Sequence, residues 1–330
     1  MRVLPILAFA LAFALFPHTA HAQNLVVPLD CRVGQECFVQ NYADWDAGPG
    51  ATDPMCGPLT YDGHDGLDFR VPKALADRGV AVLSPAPGIV HAVRDGELDG
   101  AFIRGGMSAI ANKECGNGVI IDHADGWQTQ LCHMRNGSLR VHAGDHVTAG
   151  QPVGLVGLSG HTQFPHVHLT LRHNGDKVDP ITGGAIGAGQ CGAAAIRPSA
   201  AIWSASARAA LAYTGERWFA AGFTGAAPAQ GIDAESLPAI SSRSAPALAF
   251  WALAIGPRNG DVLRVRLYGP DGALLVENAR TQPRDQAQAW LFAGRRTPPT
   301  NWPAGAYRGE AALLHNGQVV QTRTETLQLR

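Results

Sequence analysis

Pro165-His166-Val167-His168-Leu169-Thr170-Leu171-Arg172 alternates apolar and polar side chains, with Val153-Gly154-Leu155-Val156 upstream of it. That alternation reads as a β-strand. Residues i and i+2 of a strand project from the same face, so both imidazoles enter one cleft. A lone His-x-His is more often one exposed histidine beside one satisfied by a neighbour. Two other features shift the balance: His64-Asp65-Gly66-Leu67-Asp68, about a hundred residues upstream, and His133 between the two clusters.

Catalytic zinc usually takes three protein ligands from His, Asp, Glu or Cys and leaves one position to water. His64, Asp68 and His168 meet that need, two from one segment and one from a distant strand. The His-x-x-x-Asp spacing places both side chains on one side of an extended segment. His133 and His166 are then left beside a single Zn2+ without having to bind it. Two proton carriers next to an activated water suit hydrolysis of a carbonyl compound, one taking a proton and one returning it to the leaving amine.

These motifs resemble the lysostaphin-type (LytM-domain, M23) zinc metallopeptidases: His64-x-x-x-Asp68, His133 closing a strand, and His166-x-His168 after a glycine-rich approach. Val119-Ile120-Ile121-Asp122-His123-Ala124-Asp125-Gly126-Trp127 is similar to that family's central hairpin. Ala143-Gly144-Asp145-His146-Val147-Thr148-Ala149-Gly150-Gln151 is similar to its glycine-turn segment. The resemblance covers about residues 60–180. It implies His64, Asp68 and His168 as zinc ligands, His133 and His166 as catalytic histidines, and an antiparallel sheet with a groove for an extended peptide. It also implies cleavage of peptide bonds in the stem peptides or cross-bridges of peptidoglycan. Some members have lost ligands and activate cell-wall amidases. A non-hydrolytic wall-binding protein or amidase activator that keeps its metal site is therefore the alternative reading, against which the intact ligands and histidines speak. The six cysteines and the long 94–116 stretch are additions to the family's commoner forms, and the loop leaves groove shape, and so peptide preference, open; around His133 the aromatic that often precedes by two and the leucine that follows are replaced by Leu131 and Met134.

The whole chain of 330 residues is mainly β, with enough apolar residues (46%) for two cores. Residues 1–22 read as a signal peptide, with Arg2 before an apolar run from Leu4 to Phe16 and the small-x-small site Ala20-His21-Ala22. No other stretch is apolar enough to span a membrane, so a periplasmic or secreted protein is expected. With charged residues at 16% and no basic clusters, nucleic acid is not the expected partner; protein partners are not indicated.

Residues 23–60 are turn-rich and read as an irregular, cysteine-containing arm packed on the domain that follows. Residues 61–183 form the antiparallel peptidase-like domain, whose 94–116 stretch reads as a loop at the cleft rim. Helical periodicity is hard to find before about residue 200. An Ala/Gly-rich linker, 184–215, holds a short helix within Ser204 to Tyr213. Residues 216–330 read as a small immunoglobulin-like β-sandwich, in which Leu263, Val265 and Leu267 point inward. If that second domain shields the groove, a chain ending near residue 215 should be more active than the full chain.

All six cysteines lie in the exported part, where disulfides are favoured. Six cysteines allow about fifteen pairings. Cys31–Cys37 closes a small loop and Cys115–Cys132 cross-links a hairpin, which leaves Cys56–Cys191. Tyr61 offers either an oxyanion donor or a packing ring, and Asn117 either a substrate or supporting contact or turn chemistry. His123 reads as structural, His161 as loop-exposed, and His173 and His315 as solvated.

Overall fold

The computed structural model describes residues 23–187, 191–192, 197–226, 234–240 and 242–330. The expected leader, residues 1–22, lies outside them. The first half of the chain contributes strands β1 (Phe38–Asn41), β2 (Leu67–Arg70), β3 (Ala81–Leu83), β4 (Gly88–Arg94), β5 (Asn117–Asp122), β6 (Trp127–Met134), β7 (His146–Val147), β8 (Pro152–Leu155), β9 (His166–His173) and β10 (Asp176–Val178). One antiparallel sheet runs β1-β2-β9-β6-β5-β4-β7, with β10 also on β9 and a separate β3-β8 ribbon.

β9 sits between β2 and β6, so both of its edges are hydrogen-bonded. Its alternation divides the labour. Val167, Leu169 and Leu171 join Leu67, Phe69, Ile121 and Leu131 in a fully buried core. His166, His168 and Thr170 occupy the other face, with Asp68 and Arg70 of β2 beside them.

Three expectations are corrected. The arm packs on the peptidase domain, with Leu25, Leu29, Val39 and Tyr42 in its core, but it is not simply irregular, for β1 pairs with β2 through a bulge between Val39 and Asn41. Four residues of strand flanked by turns leave too short an alternation to read. Helices occur well before residue 200, as α1 (Lys73–Arg78) and α2 (Ala101–Gly105), the latter followed by a 3-10 turn at Met107–Ala109 inside the 94–116 stretch. At five or six residues neither helix spans two turns, so no 3.6-residue period could appear. The third correction concerns the linker. Its helix α3 (Ala205–Ala210), capped by Ser204, lies within the expected span, but Ile202, Trp203, Ala207 and Leu211 are buried in the same core, and Trp203 Nε1 donates to the Pro180 carbonyl.

The second half forms β11 (Arg217–Thr224), β12 (Ala247–Ile255), β13 (Val262–Tyr268), β14 (Leu274–Thr281), β15 (Gln288–Arg296), β16 (Gly305–His315) and β17 (Gln318–Leu329). Sheets β11-β12-β15 and β14-β13-β16-β17 face each other as an antiparallel sandwich of immunoglobulin-like kind. Leu263, Val265 and Leu267 point into it and the intervening arginines point out, as the alternation requires. His315 is more than a solvated side chain, for its Nδ1 bonds the buried Asp261 carboxylate.

β12 is buried along its whole length. Leu248, Phe250, Ala252 and Ala254 face the sandwich interior, whereas Trp251, Leu253 and Ile255 pack into the peptidase core together with Phe219. The two halves therefore share a hydrophobic core. The three disulfides are Cys31–Cys37, Cys56–Cys191 and Cys115–Cys132. Removing residues 216–330 would bare Phe219, Trp251, Leu253 and Ile255's packing surface. At about 1.5–3 kcal/mol per large side chain, that costs roughly 6–12 kcal/mol, as much as a whole domain's stability. A chain ending at residue 215 is thus expected to lose cooperative folding rather than gain activity; a sharp thermal transition by circular dichroism for that chain would contradict the shared core.

Candidate metal centre and cleft

The antiparallel register sets Asp68 directly opposite His168 and Arg70 opposite His166. Directly opposed side chains have Cβ atoms about 4.5–5.5 Å apart, so pairing alone brings a carboxylate from one strand to an imidazole from the other. His64 arrives differently. The His-x-x-x-Asp segment is not extended throughout: His64 closes a tight turn, its N–H donating to the Tyr61 carbonyl at 3.0 Å, before the chain enters β2. Gly66 makes this approach possible, because a Cβ there would lie 2.2 Å from the Leu169 carbonyl oxygen and 2.8 Å from the His168 ring.

Three ligand atoms converge as a result. His64 Nε2 lies 3.1 Å from Asp68 Oδ1 and 3.1 Å from His168 Nδ1, and His168 Nδ1 lies 2.9 Å from Asp68 Oδ1. The edge of a tetrahedron around an ion with bonds of 2.0–2.1 Å is about 3.3 Å, so the spacing fits one small cation held by two imidazoles and a carboxylate. His64, Asp68 and His168 are all buried, and they are a metal-competent cluster.

The far side of each ligand is tied down. His64 Nδ1 lies 2.6 Å from the Tyr42 carbonyl, which only accepts, so Nδ1 carries the proton and Nε2 keeps its lone pair. His168 Nε2 is placed against Asp65 Oδ1 at 3.2 Å and Thr170 Oγ1 at 2.9 Å, which reserves Nδ1 for the centre. Asn41 Nδ2 donates to Asp68 Oδ2 at 2.7 Å, leaving Oδ1 inward. Charge follows the same plan. Burial alone would raise Asp68, but the imidazoles of His64, His166 and His168 outweigh it and hold the carboxyl well below the usual range. Burial opposes charge on His168 as well, yet its bonds to Asp65 and Asp68 push it up to about 9. Asp65, also bonded to Lys177, is pulled down despite partial burial. Around Asp68 the protein favours positive charge, which is what a cation site requires.

His133 and His166 face this cluster with ring centres 4.5 Å apart. His166 Nδ1 bonds the Phe164 carbonyl and Thr162 Oγ1, both at 3.0 Å, and its Nε2 points inward, 3.5 Å from Asp68 Oδ1. His133 Nδ1 donates to the Ser159 carbonyl at 2.8 Å. Burial, helped by His166 and His168, lowers the His133 pKa and keeps the ring neutral, with Nε2 a free base toward the cleft. Its backbone is left-handed (φ 64), a conformation rare for a residue with a Cβ. The His133 N–H, bonded to the Cys115 carbonyl, and the adjoining Cys115–Cys132 bridge hold that turn in place.

Tyr61 stands at the mouth, half exposed, its ring 4.6 Å from His64. Burial of its hydroxyl, reinforced by Asp68 and Asp65, raises its pKa, so it stays a hydrogen-bond donor. Asn117 is a correction. It is fully buried, its Nδ2 donating to the Glu97 and Met134 carbonyls and its Oδ1 accepting from the Glu97 N–H, so it anchors the 94–116 stretch and cannot reach substrate. That stretch does reach the rim, where Phe102 packs edge-on against the exposed His161 at 4.5 Å. His173 is stacked on Trp127 rather than simply solvated, and His123 bridges the Pro87 carbonyl and Thr129 as a structural residue. Asn41, Tyr42, Asp65 and Thr170 went unread in the sequence. Only Asp65, inside the first cluster, and Thr170, two residues past His168 on the same face, carried any local signal.

A histidine-rich, cation-favouring cleft on an antiparallel sheet is the layout of a metallohydrolase. Residues 62–180 match Peptidase family M23, and this part of the chain belongs to that family. The DD-carboxypeptidase/endopeptidase Mpg of Neisseria meningitidis serogroup B is 29% identical over 123 residues, 37% of this chain and 23% of that protein. The peptidoglycan DD-endopeptidase ShyA of Vibrio cholerae serotype O1 is 27% identical over 118 residues, covering 36% of this chain and 22% of that protein. The cell division protein DipM of Caulobacter vibrioides is 30% identical over 121 residues, 36% of this chain and 16% of that protein. The chain thus spans less than a quarter of the length of these relatives.

Asn41→Ala removes the charge-assisted bond that aims Asp68. Loss of such a support typically lowers metal affinity by about 10–100-fold. Competition with a chromogenic chelator should show that drop; unchanged affinity would mean Asp68 is aimed by the sheet alone.

Proposed function

We propose that this chain is an exported zinc-dependent endopeptidase that hydrolyses peptide bonds in peptidoglycan stem peptides or cross-links. The observation that carries the reading is the meeting of His64 Nε2, Asp68 Oδ1 and His168 Nδ1 within about 3 Å of one another, with two further histidines aimed at the same point. His64, Asp68 and His168 would hold Zn2+, which when bound polarises the scissile carbonyl and acidifies water.

The protein's own part is proton handling and positioning. His133 presents a neutral Nε2, fixed by its Nδ1–H bond to Ser159, and is the base that takes the proton from the attacking water. His166, its Nδ1–H committed to Phe164, presents Nε2 inward beside His133, receives there the proton that His133 has taken up, and passes it to the departing amine. Tyr61 supplies a donor at the mouth toward the developing oxyanion. The ligands and both histidines are intact, which favours an enzyme over a wall-binding protein or amidase activator. No helix among the described residues is long and apolar enough to cross a membrane. Export to the periplasm or outside the cell rests on the leader-like residues 1–22 and the disulfides.

The test is release of new amino termini from purified sacculi, with and without a chelator. Wild-type protein should carry about one zinc per chain and release them in a chelator-sensitive way. His166→Ala should keep its metal and lose about 10²–10⁴-fold in kcat. Full release after chelation, or a His166→Ala protein as active as wild type, would discard the proposed chemistry.

A further inference from the structure

Arg70 lies one strand-step beyond Asp68 on the same face and is almost wholly buried. Its guanidinium is flanked by the Phe164 and Phe219 rings at 4.3 and 4.4 Å, and it pairs with Glu235 at 2.9 Å. Nη1 also donates to Gln40 Oε1 at 2.7 Å and to Gln288 Oε1 at 2.6 Å. A guanidinium has no acceptor, so both amides must turn their oxygens to it and their NH2 groups away. Neither NH2 has an acceptor among the described residues. Gln40 is only 1% exposed and borders the cleft rather than open solvent.

What the two amides border is a cavity of about 250 Å³ that also touches Asp68, His166, Phe164 and Ala287. Gln40 comes from β1 of the peptidase half. Ala287 and Gln288 come from the start of β15, so the sandwich domain walls the cleft directly beside the metal cluster.

We propose that Gln40 and Gln288 form a two-donor subsite that holds a peptide oxygen, a terminal carboxylate or a backbone carbonyl, on one side of the reacting bond. The second domain is then a specificity element of the active site. The inference rests on the peptidase reading of the cleft. Glu235 already balances Arg70, so the pocket attracts an acceptor through oriented dipoles rather than through net charge. Ala287 and Gln288 border the cleft on that side.

The deciding variant in the full-length protein is Gln288→Glu. It keeps an oxygen for Arg70 but replaces the free NH2 with a second, repelling oxygen. Steady-state cleavage of a defined cross-linked muropeptide should show KM raised about tenfold, the worth of one well-made hydrogen bond, with kcat and metal content unchanged. Gln40→Glu, which makes the same change on the other amide, should do the same. Binding of acetyl-D-alanyl-D-alanine and of its C-terminal carboxamide, followed by calorimetry, separates the two oxygen sources. Weakening of the free acid alone by Gln288→Glu assigns a carboxylate, and equal weakening of both assigns a carbonyl. An unchanged KM and unchanged dipeptide binding in both variants, or a loss confined to kcat, overturns the subsite. The two ideas fail separately: wild-type protein that cuts nothing yet binds the dipeptide through Gln288 refutes the peptidase, and normal cleavage indifferent to both variants refutes the subsite.

Discussion

The pairing of β2 with β9 is the constraint on which the rest depends. Because Asp68 and His168 are opposed in an antiparallel ladder, a slip of one residue would send the whole ligand face into the core and the valine-leucine face into the cleft. The core prevents that slip. Val167, Leu169, Leu171, Leu67 and Phe69 are fully buried, and turning them out would forfeit roughly 1.5–3 kcal/mol apiece. Hydrophobic burial on one side of the sheet thus holds the polar geometry on the other side, and the metal cluster inherits its precision from packing it does not touch.

Around that register three backbone carbonyls and one carboxylate define four imidazoles. The Tyr42, Ser159 and Phe164 carbonyls take the Nδ1 protons of His64, His133 and His166, and Asp65 takes the Nε2 proton of His168. Each tautomer is thereby chosen without help from the ion. The cost appears at His133, whose left-handed backbone is a strain of order 1–3 kcal/mol. Cys115 offsets it twice, through its carbonyl and through the bridge to Cys132. The disulfide that looked like a hairpin staple therefore also secures a chemical group.

The sandwich is joined to this centre more closely than a tethered module would be. β12 has its two faces in two cores, and Arg70 grips Gln288 and Glu235 across the junction. A buried guanidinium that bonds Gln40 from one half and Gln288 and Glu235 from the other ties the two halves together. The cleft is in this sense a product of both halves, although only residues 62–180 match the peptidase family.

Much of this was legible from residues alone, and the reasons are local. His166 and His168 share a face because strand side chains repeat every two residues; Leu263, Val265 and Leu267 turn inward for the same reason. The mainly β fold and the ligand types could be read, whereas the short helices α1 and α2 and the four-residue β1 could not, being too brief to show a period. Residue types and local spacing determined which side chains gather in the candidate metal centre. Only the tertiary structure decided what aims them: Asn41 reaches Asp68 across 27 residues, His168 meets Asp65 across 103, and Gln288 meets Arg70 across 218. No local spacing encodes such contacts, because they arise when separate strands are pressed together to bury a common apolar face.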